Sequence, residues 1–428
     1  AREIPLPRPA HPSTSAFRVL EPVISGSQTH MALEDDVALC ATRSHSLRDD
    51  PRWSTASRPQ LSTGPKRGPA EIATLCGVIE LVVKYLEGNG KGIITTADAA
   101  ALGVSPAVLR SMLRAGLLVR IARGVYVSAA QFNPPEDSPL RSDRFKLAKH
   151  RHLLRLDALL RQYGKKVAAS HQSALVVWDL PFNMRALERL HVARTTPGGT
   201  LRRFDDFTIH TCSLDDVITL HEERRVVVPS LAVIGQALTV GLLPAVDAAD
   251  AAIVAGLTTK AELEKMLTRM RHTPQLAVAR QAVRLADGLA ESPGETRLRL
   301  ILVELGITFI AQHWVHIEGT TIHYRVDFYL PDLGVILEYD GQVKYGQAAQ
   351  RRDNVPGEGG TGADAGRTAL VNEKAREDDL RREGFGVGRV TSQNLTPHGV
   401  KFIVASARQQ AQPRALHRPA EPPAWLRQ

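Results

Sequence analysis

Cysteine is nearly missing from this chain: of 428 residues only Cys40, Cys76 and Cys212 are cysteine, far apart, with no CxxC pair and no histidine at ligand spacing. That pattern argues against a disulfide framework and a zinc site, and it fits a reducing compartment. Long apolar runs are missing too. The most apolar stretch, Leu231 to Leu257, is broken by Gln236, Pro244, Asp247 and Asp250, which suits Ala-rich core helices better than a membrane span. The first residues are proline-rich and hold no apolar run, so no secretory signal is expected and the protein is assigned to the cytoplasm. Periodicity is missing from Ala1 to about Gly68, which is rich in Pro, Ser, Thr and Arg. Residues 1–71 are therefore expected to be disordered, or an artefactual extension upstream of the true start; disorder is also expected for the tail, 408–428.

What is present is ample apolar content, 43%, in a length that suggests two or three domains. The net charge is +9 and the pI is near 9.6, a balance that favours a polyanionic partner such as double-stranded DNA.

Ordered sequence begins with a helix from Ile72 to Leu86, whose apolar positions recur at helical spacing. A compact helix-turn-helix pattern follows. In Ile94 to Pro106 a first short helix ends at Gly103, and a second opens with Ser105 as N-cap and Pro106 at its first position. The second helix runs to about Ala115, with Leu109, Met112 and Leu113 inward and Ala107, Arg110, Ser111 and Arg114 outward. Small and basic residues on the outer face suit entry into a major groove. Leu118 to Val127 then reads as a hairpin wing with Arg120 and Arg123 placed for phosphate contact. The bland alternative is a small helical module with an ordinary Arg-rich face.

Near the other end, Tyr324 to Leu330, a Pro331-Asp332-Leu333-Gly334 turn, and Val335 to Gly341 read as two paired strands. Setting Leu330 opposite Val335 puts Asp327 opposite Glu338, with Asp340 on the same face and Val335, Leu337 and Tyr339 on the other. Stacked like charges need a cation, and Mg²⁺ or Mn²⁺ bound by Asp327 and Glu338 is the simplest remedy. The alternative is a solvated sheet face of mixed sign. Glu295, in Ser292-Pro293-Gly294-Glu295, shares a helix face with Leu298, Leu302 and Leu305 that points at this sheet, but it equally fits a capping box. A Gly-rich insertion between Gly346 and Ala369 is expected to be a flexible loop beside the patch.

Ser170, His171 and Asp247 do not make a hydrolase: adjacent Ser and His face differently, and no glycine elbow accompanies them. A capped helix start at Ser170, with His171 and His191 satisfied by backbone partners, explains them as scaffold.

Two resemblances add to this. Thr95-Thr96-Ala97-Asp98-Ala99, Leu102-Gly103-Val104-Ser105 and Arg123-Gly124-Val125-Tyr126 resemble the N-terminal winged helix-turn-helix of AbiEi-type antitoxins of type IV toxin-antitoxin systems. Weaker likeness continues through Ala169 to Leu175, Leu190-His191-Val192 and Val246 to Asp250. The resemblance implies operator binding, autorepression and counteraction of a nucleotidyltransferase-like toxin. The C-terminal part resembles the PD-(D/E)xK nucleases, within them the Vsr-like branch, with Asp327 and Glu338 as the two motif acids, Glu295 as the helix acid, and Glu373 to Asp378, Leu380 and Arg389-Val390-Thr391 as the closing helix and strand. It departs from that pattern where Asp340 stands in place of the motif lysine; Lys344 or Lys374 would have to supply the charge.

The expected architecture is α/β and multidomain: a winged helix-turn-helix at 72–130, an α/β middle domain at 131–290, and at 291–407 a restriction-endonuclease-like mixed sheet with flanking helices. The function expected first is a DNA-targeted, Mg²⁺-dependent endonuclease, with Glu295 and Asp340 supporting the metal acids. The alternative is a non-catalytic antitoxin-type repressor carrying a degenerate nuclease fold.

Overall fold

The computed structural model describes residues 69–88, 92–196, 198–212, 214, 216–341 and 362–426, with the side chains of 69–74 and 362–371 excepted. The expectations for residues 1–68 and for Lys344 lie outside the described residues. The chain divides into two compact units, one ending at Val119 and the other starting at Arg120, where the sequence suggests three parts.

In the first unit, α1 (Pro69–Gly88) buries Leu75, Ile79, Val82 and Leu86, spaced four, three and four apart along one stripe. Strand β1 (Ile93–Thr95) leads into α2 (Thr96–Ala101). A capping box opens α2: the Thr95 hydroxyl accepts the Asp98 N–H, and the Asp98 carboxylate accepts the Thr95 N–H. Gly103, at φ 73°, turns the chain into α3 (Pro106–Arg114). The Ser105 cap and the Pro106 start fall where the sequence places them, whereas α1 extends beyond the expected Ile72 to Leu86 at both ends. Cys76 is disulfide-bonded, which corrects the expectation drawn from cysteine spacing; separation along the chain does not report separation in space. Cys212 is free and buried.

Strand β2 (Leu118–Ala122) crosses into the second unit and is followed by β3 (Val125–Ser128), the turn between them held by Gly124 at φ 73°. After α4 (Ala129–Phe132) and α5 (Pro139–Ser142) comes α6 (Arg144–Tyr163), capped by the Asp143 carboxylate. The six strands β4 (Val167–Ala169), β5 (Leu190–Arg194), β6 (Arg202–Arg203), β7 (Phe207–His210), β8 (Ile218–His221) and β9 (Arg224–Val227) form a mixed sheet in the order β6-β7-β5-β4-β9-β8. Around it lie α7 (His171–Val177), α8 (Pro229–Thr239), α9 (Leu242–Val254), α10 (Lys260–Arg269) and α11 (Leu276–Leu285). The apolar stretch from Leu231 becomes α8 and α9, core helices as expected, and no described helix is long and apolar enough to cross a membrane.

A second, four-stranded sheet occupies the C-terminal part: β10 (Ile310–His316), β11 (His323–Leu330), β12 (Val335–Asp340) and β13 (Gly386–Thr391), in that order. The first three run antiparallel and β12 pairs β13 in parallel, through the crossover helix α13 (Gly362–Arg382). Residues 362–369 therefore belong to a helix rather than to the expected Gly-rich loop. On one face Phe328, Leu330, Val335, Leu337 and Val390 pack against Leu298 and Leu302 of α12 (Pro293–Glu304) and Val400 and Val404 of α14 (Pro397–Arg408).

On the other face Tyr329, Ile336 and Val387 meet Leu380, Phe385 and Ala415. Ala415 belongs to the tail, which is folded and not disordered. The Tyr329 hydroxyl donates to Ala415 O at 2.6 Å, Arg418 N donates back to that hydroxyl at 2.8 Å, and the Arg418 guanidinium holds Glu383 at 2.6 Å. Proline-rich composition removed periodicity from this segment, but it did not remove the anchors.

The middle and C-terminal parts share one unit, and within it α12 is tied to α9 by buried polar contacts. The Arg299 guanidinium reaches Asp250 at 2.7 Å and Asp287 at 3.0 Å, and the Thr296 hydroxyl donates to Asp250 at 2.8 Å. Asp250 also accepts the N–H groups of Asp287 and Gly288.

Candidate nucleic-acid interface and the acidic patch

Ser105 caps α3 by accepting the Val108 N–H, and Pro106 needs no partner at the first helical position. This start fixes the helix phase: Leu109 and Met112 are buried, and Arg110 and Arg114, four residues apart, are exposed on one face. Ser111 departs from the expectation of an outward side chain. It is fully buried although it lies on the helix face of Ala107, Arg110 and Arg114, and its hydroxyl has no hydrogen-bond partner among the described residues. Ser111 is therefore part of the core and not of a groove-reading surface. In the second unit, Arg120 on β2 and Arg123 in the hairpin turn are exposed, and the Arg120 Nε donates to Ala122 O at 3.4 Å.

In the C-terminal sheet the pairing Leu330↔Val335 is the register expected from the sequence, and recorded pairs continue to Phe328↔Leu337. Beyond them the Asp327 carboxylate accepts the Tyr339 N–H at 2.9 Å. Gly294, in the first turn of α12, lies so close to Tyr339 that a Cβ there would stand 1.9 Å from the ring; only glycine allows this helix end against the strand. Glu295 is buried, and both its oxygens serve the helix start. One accepts the Ser292 hydroxyl at 2.8 Å; the other accepts the Glu291 N–H at 2.9 Å and the Gln312 amide at 3.1 Å.

Glu338 is 8% exposed. Burial pushes its carboxyl up from the ordinary range; Arg376 opposes that shift, and the charges of Asp327 and Glu373 add to it. The Arg376 guanidinium meets Glu338 at 2.5 Å, donates to Arg325 O at 2.8 Å and lies 5.7 Å from the centre of the Tyr324 ring. Arg389, opposite Glu338 in the parallel β12–β13 ladder, stands 4.0 Å from it, 2.5 Å from Glu373 and 3.1 Å from Glu377. The face that reads as stacked acids on β11 and β12 is thus one of mixed sign once β13 and α13 are added.

Asp340 is half-buried and pairs in register with Thr391. Lys374 is exposed. Two residues along a helix is about 200° of rotation, so α13 cannot turn both Lys374 and Arg376 toward the sheet.

The arrangement does not fit a resident Mg²⁺, which asks for several hard oxygen ligands free to face it. A guanidinium already holds Glu338, the oxygens of Glu295 hold a helix end, and no group of three or more His, Cys, Asp or Glu among the described residues is placed to hold a metal ion. The sequence reading missed Arg376 and Arg389 as partners. The spacing Glu373, Arg376, Glu377 carries the signal, since positions three and four apart share a helix face.

In the middle part of the chain Asp247 is engaged by Arg297 at 3.0 Å. The reasons given for scaffold roles need correction, however. Ser170 makes no side-chain cap bond, and its Oγ instead lies 3.1 Å from His171 Nδ1. His171, at φ 49°, stacks on His210 with ring centres 3.7 Å apart, and His191 Nδ1 lies 2.9 Å from His210 Nε2. Burial holds all three imidazoles neutral, with His191 lowered to about 4 and His210 to about 3.

A model of the family described as a transcriptional regulator, AbiEi antitoxin, matches residues 82–129. Two uncharacterised proteins of Mycobacterium tuberculosis, MT2308 of strain CDC 1551 / Oshkosh and Rv2248 of strain H37Rv, are each 31% identical to this chain over 106 residues, 24% of this chain and 39% of the relative. The chain therefore spans about two fifths of the length of these curated relatives. The family match runs from the last two turns of α1 through α2, α3 and the β2–β3 hairpin.

Proposed function

We propose that this protein is a DNA-binding transcriptional regulator of the AbiEi antitoxin type, with the helix-turn-helix and its hairpin wing as the DNA-binding element. The observation that carries this reading is a coincidence: the antitoxin family match, 82–129, falls on the segment whose second helix presents Arg110 and Arg114 to solvent. In this reading α3 enters the major groove, Arg110 and Arg114 contact bases or phosphates, and Arg120 and Arg123 contact phosphates from the wing. Phosphate contact by these four arginines releases condensed counterions, and the chain's net charge of +9 works in the same direction. A nucleotidyltransferase-like toxin is the protein partner this reading calls for.

The C-terminal part runs helix, three antiparallel strands, crossover helix and parallel strand. We take it as a non-catalytic module, because Glu295, Asp327 and Glu338 are engaged by the protein itself.

The test is a gel shift with the duplex upstream of the protein's own reading frame. Wild type should bind it better than random duplex, and Arg110→Ala with Arg114→Ala should remove the preference while leaving the melting temperature unchanged. A double variant that binds like wild type would overturn the assignment of α3 as the reading helix.

A further inference from the structure

Buried acids on neighbouring strands need a counter-charge, and the C-terminal sheet supplies one from its own crossover helix. Arg376 is held from three sides: by Glu338 at 2.5 Å, by Arg325 O at 2.8 Å and by the Tyr324 ring face at 5.7 Å. Tyr324 is fixed in turn, its hydroxyl donating to Asp379 at 2.7 Å. The Arg376 side chain is 23% exposed and that of Glu338 is 11% exposed. Arg389 stands behind the pair, on the strand parallel to β12, and shares Glu373 and Glu377 of the crossover helix.

We propose that Arg376 occupies the place a divalent cation would take beside Glu338 and Asp327, making the C-terminal domain a metal-independent module whose acidic patch is neutralised from within. A carboxylate as buried as Glu338 tolerates ionisation only with a hydrogen-bonded cation at contact distance. A planar guanidinium fixed by a carbonyl and an aromatic face fills that role without the hydration shell a metal would keep. A metal bound to the Glu338 oxygen that Arg376 holds would meet the guanidinium's positive charge at close range. The position that breaks the nuclease pattern, Asp340, has its consequence here: with no motif lysine on β12, the positive charge comes from α13.

The experiment uses the full chain and thermal unfolding in EDTA, in Mg²⁺ and in Mn²⁺; it does not read DNA binding, so its outcome is separate from that of the operator assay. Wild type should melt at the same temperature in all three. Arg376→Met, which keeps the side-chain length and removes the charge, should melt several degrees lower in EDTA and regain part of that loss with rising Mg²⁺ or Mn²⁺. The double variant Arg376→Met, Glu338→Gln should recover stability and lose the metal response, and it decides the matter if Arg376→Met alone does not fold. Saturable stabilisation of wild type by either metal would overturn the proposal. So would an Arg376→Met protein that melts lower and ignores metal, or a double variant that recovers nothing.

Discussion

The helix-turn-helix hairpin and the C-terminal sheet treat charge in opposite ways. In the first, Arg110, Arg114, Arg120 and Arg123 stand exposed on a helix and a hairpin whose apolar residues point elsewhere. In the second, Glu295 and Glu338 are buried, and each is engaged by groups of its own chain. Charge held out into water is available to a polyanion through counterion release. Charge matched inside a fold serves specificity and rigidity, and it leaves nothing to offer a ligand. In the proposed reading the two regions divide the work into a surface that binds and a frame that holds.

The frame should break hardest where its buried charges lose partners. In the joint between α9 and α12, Arg299→Ala leaves the buried Asp250 with hydrogen bonds from Thr296, Asp287 and Gly288 but without its cationic partner, and we expect about 3 kcal/mol lost in urea unfolding. A neutral result would mean that the middle and C-terminal parts are not held by this joint. Gly294→Ala forces a methyl into the Tyr339 ring and should cost about 1–3 kcal/mol, by overpacking alone.

Asp247 sharpens the comparison through pH. Burial raises its carboxyl from 3.8 to about 6, against the opposing pull of Arg297. A folded-state value above the unfolded one favours the protonated form, so this stabilisation is complete below 3.8 and is lost as pH rises through about 6. Asp247→Asn should flatten the stability profile across that window, as read by melting temperature against pH.

The smallest effect belongs to Ser111. Its buried hydroxyl is unpartnered among the described residues, so Ser111→Ala should change stability by less than about 1 kcal/mol, in either direction, and leave DNA binding unchanged. A loss of binding would return Ser111 to the surface role its sequence position suggests.

Local rules made much of this legible. Ser105-Pro106, the capping box at Thr95 and Asp98, and the glycines at 103 and 124 set the boundaries of α2, α3 and the hairpin, because each acts within four residues of itself. The register from Leu330↔Val335 was legible for the same reason, since a short turn fixes it. The partners of Glu338 were not. Arg376 lies 38 residues away along the chain and reaches Glu338 only through a parallel crossover, a relation no local pattern encodes. The histidine stack of His171, His191 and His210 is hidden for the same reason, being assembled from three separated elements. Ser111 shows the converse limit: helical phase places it beside Arg110 and Arg114, yet it is fully buried, because phase within one helix does not report what packs against that face.

One gel tests the division of labour most directly. Supercoiled plasmid carrying the upstream duplex is incubated with the full chain in Mg²⁺ or Mn²⁺ and run before and after removal of protein, with Asp327→Ala alongside. The account predicts retarded plasmid that returns to the supercoiled position once protein is removed, identically for wild type and variant. Metal-dependent nicking by wild type that disappears in Asp327→Ala would contradict it.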